Sequence, residues 1–151
     1  ADGINALAGH MDEWERRRGR VTVLTPHEGE FLRVGGDLSQ GRTAAAEDFA
    51  RRSGAVVVLK GPGTVVAGPD GRCRMNTTGN CGMAKGGSGD VLSGVVLALL
   101  GLGMDAFDAC CCAVWLHGRA GDLAAQEQGQ WGMTPTDLLE RLPQALREVT
   151  E

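Results

Sequence analysis

At 151 residues and 15.8 kDa, with 15 Lys and Arg against 19 Asp and Glu for a net charge of −4, the chain has the length of one domain that can bury a core. Basic residues are scattered apart from Arg16-Arg17-Arg18, which disfavours a nucleic-acid binder. A hydrophobic content of 42% with 23% charged residues excludes a disordered chain. Three Trp, three Phe and no Tyr predict a mostly aliphatic core. The 24 glycines are about 16% of the chain against an average near 7%. They cluster at 61–71 and 79–94 without a collagen or linker pattern, as expected where backbones approach closely.

The chain opens at Ala1-Asp2-Gly3-Ile4-Asn5-Ala6-Leu7, which reads as the end of a strand running into a short helix, as though starting mid-fold. A polar helix is expected over Met11–Arg18. A buried parallel strand over Val21–Leu24 follows, stopped by Thr25-Pro26 and leading into a βα turn. Thr43–Arg52 has a helical period closed by Ser53-Gly54, and Ala55–Leu59 is the next strand. Val65–Ala67, the turn Gly68-Pro69-Asp70-Gly71 and Cys73–Asn76 form a hairpin, after which a glycine-rich loop runs to Ser88. Three helices close the chain: Asp90 to about Leu102, Asp105 to about Gln128, and Pro135 to about Val149. Asp105 with Asp108, and Thr134-Pro135-Thr136-Asp137, are their start signals. Ala109, Cys112, Leu116, Ala120 and Leu123 form the stripe expected to bury in the middle helix. Strands followed by helices imply α/β layering.

Five cysteines, Cys73, Cys81, Cys110, Cys111 and Cys112, lack any C-x-x-C spacing, so neither a disulfide scaffold nor a zinc site is expected. They read as small buried hydrophobes in a reducing cytoplasm. The most apolar stretch, Val91–Met104, is broken by Ser93 and three glycines and is too short to span a membrane. With no signal peptide at the start, the expectation is a soluble cytoplasmic protein.

The chemistry concentrates in Asn76-Thr77-Thr78-Gly79-Asn80-Cys81-Gly82-Met83-Ala84-Lys85-Gly86-Gly87-Ser88-Gly89-Asp90, which ends where an apolar helix begins. Consecutive small residues let backbone N–H groups converge, and a helix start adds unpaired donors, so the junction suits a phosphoryl group. Asp90 is the odd member. A carboxylate beside phosphate costs Coulomb energy unless it has a task such as taking a proton; its plain alternative is a helix N-cap. The order is not that of a P-loop or a dinucleotide fingerprint. Gly86-Gly87-Ser88-Gly89-Asp90 approaches a hydrolase elbow, but Asp90 stands where the last glycine belongs and no strand precedes it.

The run Gly82-Met83-Ala84-Lys85-Gly86-Gly87-Ser88-Gly89-Asp90-Val91-Leu92-Ser93-Gly94 resembles the signature of the ADP- or ATP-dependent NAD(P)H-hydrate dehydratases of the ribokinase-like superfamily. Further blocks agree in order: residues 2–7, Leu24-Thr25-Pro26-His27-Glu28-Gly29-Glu30-Phe31, Leu59-Lys60-Gly61-Pro62-Gly63-Thr64-Val65-Val66, Leu116–Asp122 and Asp137-Leu138-Leu139. The chain departs from the pattern at Glu28 and Cys81, where proline is usual, and at Lys85 and Ser88, where threonine is common. The family's upstream part is absent, so the resemblance implies the C-terminal part of a single ribokinase-like domain covering 1–151. Its fold would be layered, with a mainly parallel sheet flanked by helices plus a β-hairpin.

The resemblance implies a hydro-lyase that repairs hydrated NADH or NADPH: the hydrate hydroxyl is phosphorylated by ADP, AMP is released, and phosphate is expelled to restore the double bond. Mg²⁺ and ADP, or ATP, would be cofactor and co-substrate, and a homo-oligomer is expected. Asp90 would be the catalytic base. His27 and Asp90 would contact the hydrate, with Asn5 and Asn80 as further contacts or, equally, turn stabilisers. Lys60, Gly61, Pro62, Gly63, Thr64 and Gly89 would hold the nucleotide, while Gly86, Gly87, Ser88 and Gly89 form the anion hole. Independently of the resemblance, Lys60 ends a strand before a Gly-Pro-Gly turn, where it either neutralises phosphate or is simply solvated. His27 follows a strand at the ligand-facing end of a βα turn, with a hydrogen bond at a helix start as its alternative. His117 is expected to pack or bond within its helix and His10 to face solvent. The rivals are a ribokinase-like kinase of a small alcohol, which stops at the phosphoester, and a nucleotide-binding fragment without turnover.

Overall fold

The computed structural model describes residues 2–150, divided between two compact units, Ala1–Met75 and Asn76–Glu151. The strand end expected at the start of the chain lies outside the described residues. The first unit runs α1 (Asp2–Asn5), α2 (Met11–Arg16), β1 (Val23–Leu24), α3 (Glu28–Arg33), α4 (Arg42–Ser53), β2 (Val56–Leu59), β3 (Val65–Ala67) and β4 (Cys73–Met75). Its sheet has the order β1-β2-β3-β4. β1 pairs β2 in parallel, Val23 opposite Val56 and Leu24 opposite Val57, whereas the β2–β3 and β3–β4 pairings are antiparallel. The sheet is therefore mixed, its parallel part confined to β1 and β2.

Every residue of β2 and β3 is buried, as an uninterrupted apolar strand requires when both faces are covered. Trp14, Phe31 and Phe49 are each 1% exposed or less. Phe49 lies 5.2 Å from Phe31 and 6.1 Å from Trp14 between ring centroids, the latter edge-on. An otherwise Ala- and Val-rich core is thus pinned by one aromatic cluster. The strand expected over Val21–Leu24 shortens to two residues, because Val21 is 67% exposed and unpaired with β2. α3 was not anticipated: six residues are too few to show a helical period.

In the second unit a single 3₁₀ turn, Cys81–Met83, precedes α5 (Ser88–Gly101), α6 (Ala106–Gly132) and α7 (Pro135–Thr150). The expected caps form: Asp105 accepts from the N–H groups of Phe107 (3.1 Å) and Asp108 (3.3 Å). Thr134 and Asp137 bond reciprocally, Thr134 N–H to Asp137 Oδ2 at 2.6 Å and Asp137 N–H to Thr134 Oγ1 at 3.3 Å. Gly129, at φ 70° and ψ 155°, breaks the helical geometry of α6, next to where the helix was expected to end. The buried arc of α6 takes in Ala109, Cys110, Ala113, Val114, Leu116, Ala120 and Leu123.

Cys112, expected in that arc, is exposed; the arc is turned toward Cys110 instead. Of the five cysteines only Cys110 is buried, and burial pushes its thiol up to about 12; Cys81 and Cys112 are exposed and Cys73 and Cys111 half-buried. The reading of all five as buried hydrophobes is corrected accordingly. Among the described residues no helix is long and apolar enough to cross a membrane.

Candidate functional site

The candidate residues fall into two groups, one in each unit. In the first unit, Pro26 ends the chain's course beyond β1, and Lys60 N–H donates to Pro26 O at 2.8 Å. His27 and Lys60 consequently form a parallel bridge that extends the β1–β2 register. His27 is the N-cap of α3: Glu30 N–H donates to His27 Nδ1 (3.2 Å) and His27 N–H donates to Glu30 Oε2 (2.8 Å), a reciprocal capping box. The helix-start hydrogen bond weighed for His27 is therefore real, and it leaves a ring whose side chain is 53% exposed.

Lys60 is not simply solvated. Its ammonium lies 3.7 Å from Glu30 Oε2, and its side chain is 26% exposed against 6% for Glu30. Burial alone would raise the Glu30 carboxyl, but hydrogen bonds, that from His27 N–H among them, and the Lys60 ammonium hold it well below the usual carboxylate range.

The Gly61–Thr64 loop is tethered from α4. Arg42 donates to the carbonyls of Leu59 (3.0 Å), Gly63 (3.2 Å) and Pro62. It also ion-pairs with Glu28 at 3.1 Å, so Glu28 helps to hold the loop's anchor. Thr64 Oγ1 donates to Gly61 O at 3.1 Å. Asn5 Oδ1 accepts from Arg33 and is exposed.

In the second unit, Gly87 is the N-cap of α5 at φ 98°, ψ −28°, with no side-chain cap. A Cβ there would be strained, which is why glycine suits the position. Asp90 is consequently the third residue of the helix, not its cap. It is exposed, and among the described residues its carboxylate has no hydrogen-bond or ion-pair partner. Ser88 N–H donates to Lys85 O and Asp90 N–H to Gly87 O, whereas the N–H groups of Gly86, Gly87 and Gly89 take no partner among the described residues. Ser88 itself is buried, and His117 Nε2 lies 2.8 Å from its carbonyl oxygen, not its hydroxyl. The nucleophile geometry of a serine hydrolase is absent from that pair. His117, expected to pack or bond within its helix, also ties α6 to the start of α5. His10 is exposed, as expected.

The rest of the loop is held from α6. Asp122 accepts from Gly79 N–H (3.0 Å) and from Asn80 Nδ2 (3.0 Å). Asn80 Oδ1 accepts from Gly82 N–H at 3.0 Å, so both ends of its side chain serve the loop. Thr78 Oγ1 donates to Trp115 O at 3.0 Å. Gly118 permits that approach, since a Cβ there would sit 2.7 Å from Thr78's carbonyl carbon. Lys85 donates to the carbonyls of Trp131 (2.9 Å) and Met133 at the end of α6. Its charge is thereby spent on a helix terminus.

Sequence reasoning missed Glu30, Arg42 and Asp122. The His27-x-x-Glu30 spacing carried a capping-box signal for the first. The other two act through contacts 14 or more residues away in the chain and leave no local mark.

Residues 1–144 match the family model described as NAD(P)H-hydrate dehydratase. The chain belongs to that family. A bifunctional NAD(P)H-hydrate repair enzyme from Thermofilum pendens is 47% identical over 99% of this chain and 29% of its own length. The ADP-dependent (S)-NAD(P)H-hydrate dehydratase of Bacillus subtilis is 40% identical over 86% of this chain and 48% of its own. The crystal structure of ADP/ATP-dependent NAD(P)H-hydrate dehydratase from Bacillus subtilis, co-crystallised with ATP/Mg²⁺ and soaked with CoA, superposes with a TM-score of 0.80 at 39% identity, covering 85% of this chain and 49% of that one. A ribokinase-like superfamily protein from Enterococcus faecalis gives 0.74 at 31% identity, covering 83% and 44%. The fold is thus ribokinase-like, and the chain spans about half the length of the single-activity dehydratases it matches.

Proposed function

We propose that the full-length protein is an ADP-dependent (S)-NAD(P)H-hydrate dehydratase. The observation that carries this reading is the start of α5: the N–H groups of Gly86, Gly87 and Gly89 have no partner among the described residues, and neither has the exposed carboxylate of Asp90 in the first turn that follows. Donors of this kind suit a phosphoryl group whose charge grows during transfer. Lys60 and the Gly61-Pro62-Gly63-Thr64 loop hold the nucleotide, His27 contacts the hydrated nicotinamide ring with Asn5 as a further contact, and Asn80 takes its alternative part as stabiliser of the glycine loop. Asp90 takes the proton of the ring hydroxyl as its oxygen attacks the terminal phosphorus of ADP, and AMP leaves. Phosphate then departs from the ring carbon as a proton is lost from the adjacent carbon, restoring the double bond.

Mg²⁺, when bound, supplies charge neutralisation on the phosphates. Among the described residues no cluster of His, Cys, Asp or Glu forms a protein cage for it. That donor set fits an ion carried chiefly by phosphate oxygens and water, as Mg²⁺ ordinarily is.

The test is to incubate the full-length protein with hydrated NADH, Mg²⁺ and either ADP or ATP, and to follow the return of NADH absorbance. Recovery with ADP and release of AMP is the expected result. No recovery with either nucleotide overturns the reading, and accumulation of a stable phosphoester would point to a kinase. A cytoplasmic homo-oligomer belongs to the same proposal, its subunit number measurable by light scattering.

A further inference from the structure

The geometry points to Glu30 as a positioning residue: one buried carboxylate seats both His27 and Lys60, and the cap it shares with His27 leaves that ring only an N–H to offer a ligand. The roles of His27 and Lys60 rest on the dehydratase reading, whereas the positioning is a property of the folded chain.

The deduction starts from the backbone N–H of Glu30, which donates to His27 Nδ1 at 3.2 Å. A peptide N–H can only donate, so Nδ1 presents a lone pair and the proton of the neutral ring is on Nε2. Nε2 lies 3.7 Å from Glu30 Oε1, on a side chain that is 53% exposed. His27 therefore meets its ligand as a donor to an oxygen of a carbonyl, hydroxyl or phosphate. It has no free lone pair with which to accept a proton, so deprotonation of the hydrate falls to the Asp90 carboxylate.

The charge on Glu30 needs a separate reason. A capping box is completed as well by Gln as by Glu, and burial disfavours the ionised form. A carboxylate that is only 6% exposed where an amide would cap equally well has a second use, and Lys60 Nζ is 3.7 Å from the oxygen that accepts His27 N–H. The His27–Lys60 bridge places the two residues side by side at the ends of their strands. One carboxylate can hence orient the ammonium and the imidazole together.

The experiment pairs Glu30→Gln with Lys60→Met in the full-length protein and records ring ¹⁵N spectra of His27. The wild-type spectrum is expected to show Nε2–H with Nδ1 unprotonated. Glu30→Gln keeps the cap, so it should leave melting within a few degrees while raising the nucleotide KM about tenfold, the size of a lost charge-assisted contact, with a smaller change in kcat. In the Lys60→Met background, the same change should add little to KM and should restore stability, since it removes a buried charge that has lost its ammonium neighbour.

A wild-type ring protonated on Nδ1, or additive effects of the two substitutions, overturns the proposal. If Glu30→Gln does not fold, the ring spectrum of the wild type and of Lys60→Met still decides it. Should the wild type leave hydrated NADH untouched, the reaction reading fails. The ring spectrum and the Lys60 ¹⁵Nζ shift, expected to move in Glu30→Gln, then judge the positioning alone.

Discussion

The candidate groups of the first unit are already bonded to one another, whereas those at the start of α5 are left open. His27, Glu30 and Lys60 share one carboxylate, and Arg42 grips the carbonyls of the loop after Lys60. Asp90 and the amides of Gly86, Gly87 and Gly89 have no partners among the described residues, although the loop before them is tied down through Asp122. Groups that bind benefit from being held in advance, because less ordering is left for the ligand to impose. Groups that act on charge developing during a reaction have to keep their hydrogen-bonding capacity unspent.

This contrast predicts opposite responses to substitution. The largest effect is expected at Asp90. Asp90→Asn should lower turnover by roughly 10²- to 10⁴-fold while costing less than about 1 kcal/mol of stability, since it loses only a helix-dipole interaction. Steady-state rates and thermal melts of the same preparation check both halves. An unchanged rate would make the carboxylate structural and erase the distinction between the two regions.

At Arg42 the balance should invert. Arg42→Met removes charge-assisted bonds to Leu59, Pro62 and Gly63, so a loss of about 1.5–3 kcal/mol is expected in denaturant unfolding, together with weaker ADP binding by calorimetry. Gly87→Ala comes next: a side chain at φ 98°, its Cβ 3.1 Å from Pro135 Cγ, should cost about 1–2 kcal/mol. It should also lower turnover by displacing the amides proposed to hold the phosphoryl group.

The smallest effect concerns acid. Hydrogen bonds from the Thr134 hydroxyl and N–H hold the Asp137 carboxyl below its ordinary value. Its folded value is thus lower than its unfolded one, so its contribution is complete above the unfolded value and disappears as pH falls through the folded one. Protection of the amides at the start of α7, measured as exchange corrected for its intrinsic pH dependence, should therefore fall on acidification below about pH 4, and Asp137→Asn should remove that dependence. Thiol labelling offers a control on the fold: Cys81 and Cys112 should react in the native protein, while Cys110, buried with its thiol pushed up to about 12, should react only on unfolding.

Local signals in the chain determined most of the elements. The β-branched runs became β2 and β3, the Pro-Asp-Gly turn became the hairpin, and Asp105 and Thr134 capped the helices they precede, because each depends on neighbours a few residues away. The ordered motif blocks, through the family resemblance they carry, singled out the glycine loop, Asp90, His27 and Lys60 as candidates. Tertiary structure alone decided which side chains are spent and which are free. Nothing near Asp90 shows that Gly87, not Asp90, begins the helix; nothing near Asn80 shows that Asp122 holds it; and nothing near Lys60 shows the buried Glu30 beneath it. Those contacts join residues up to 43 positions apart, and a carboxylate's task is set by what folding brings within about 4 Å of it.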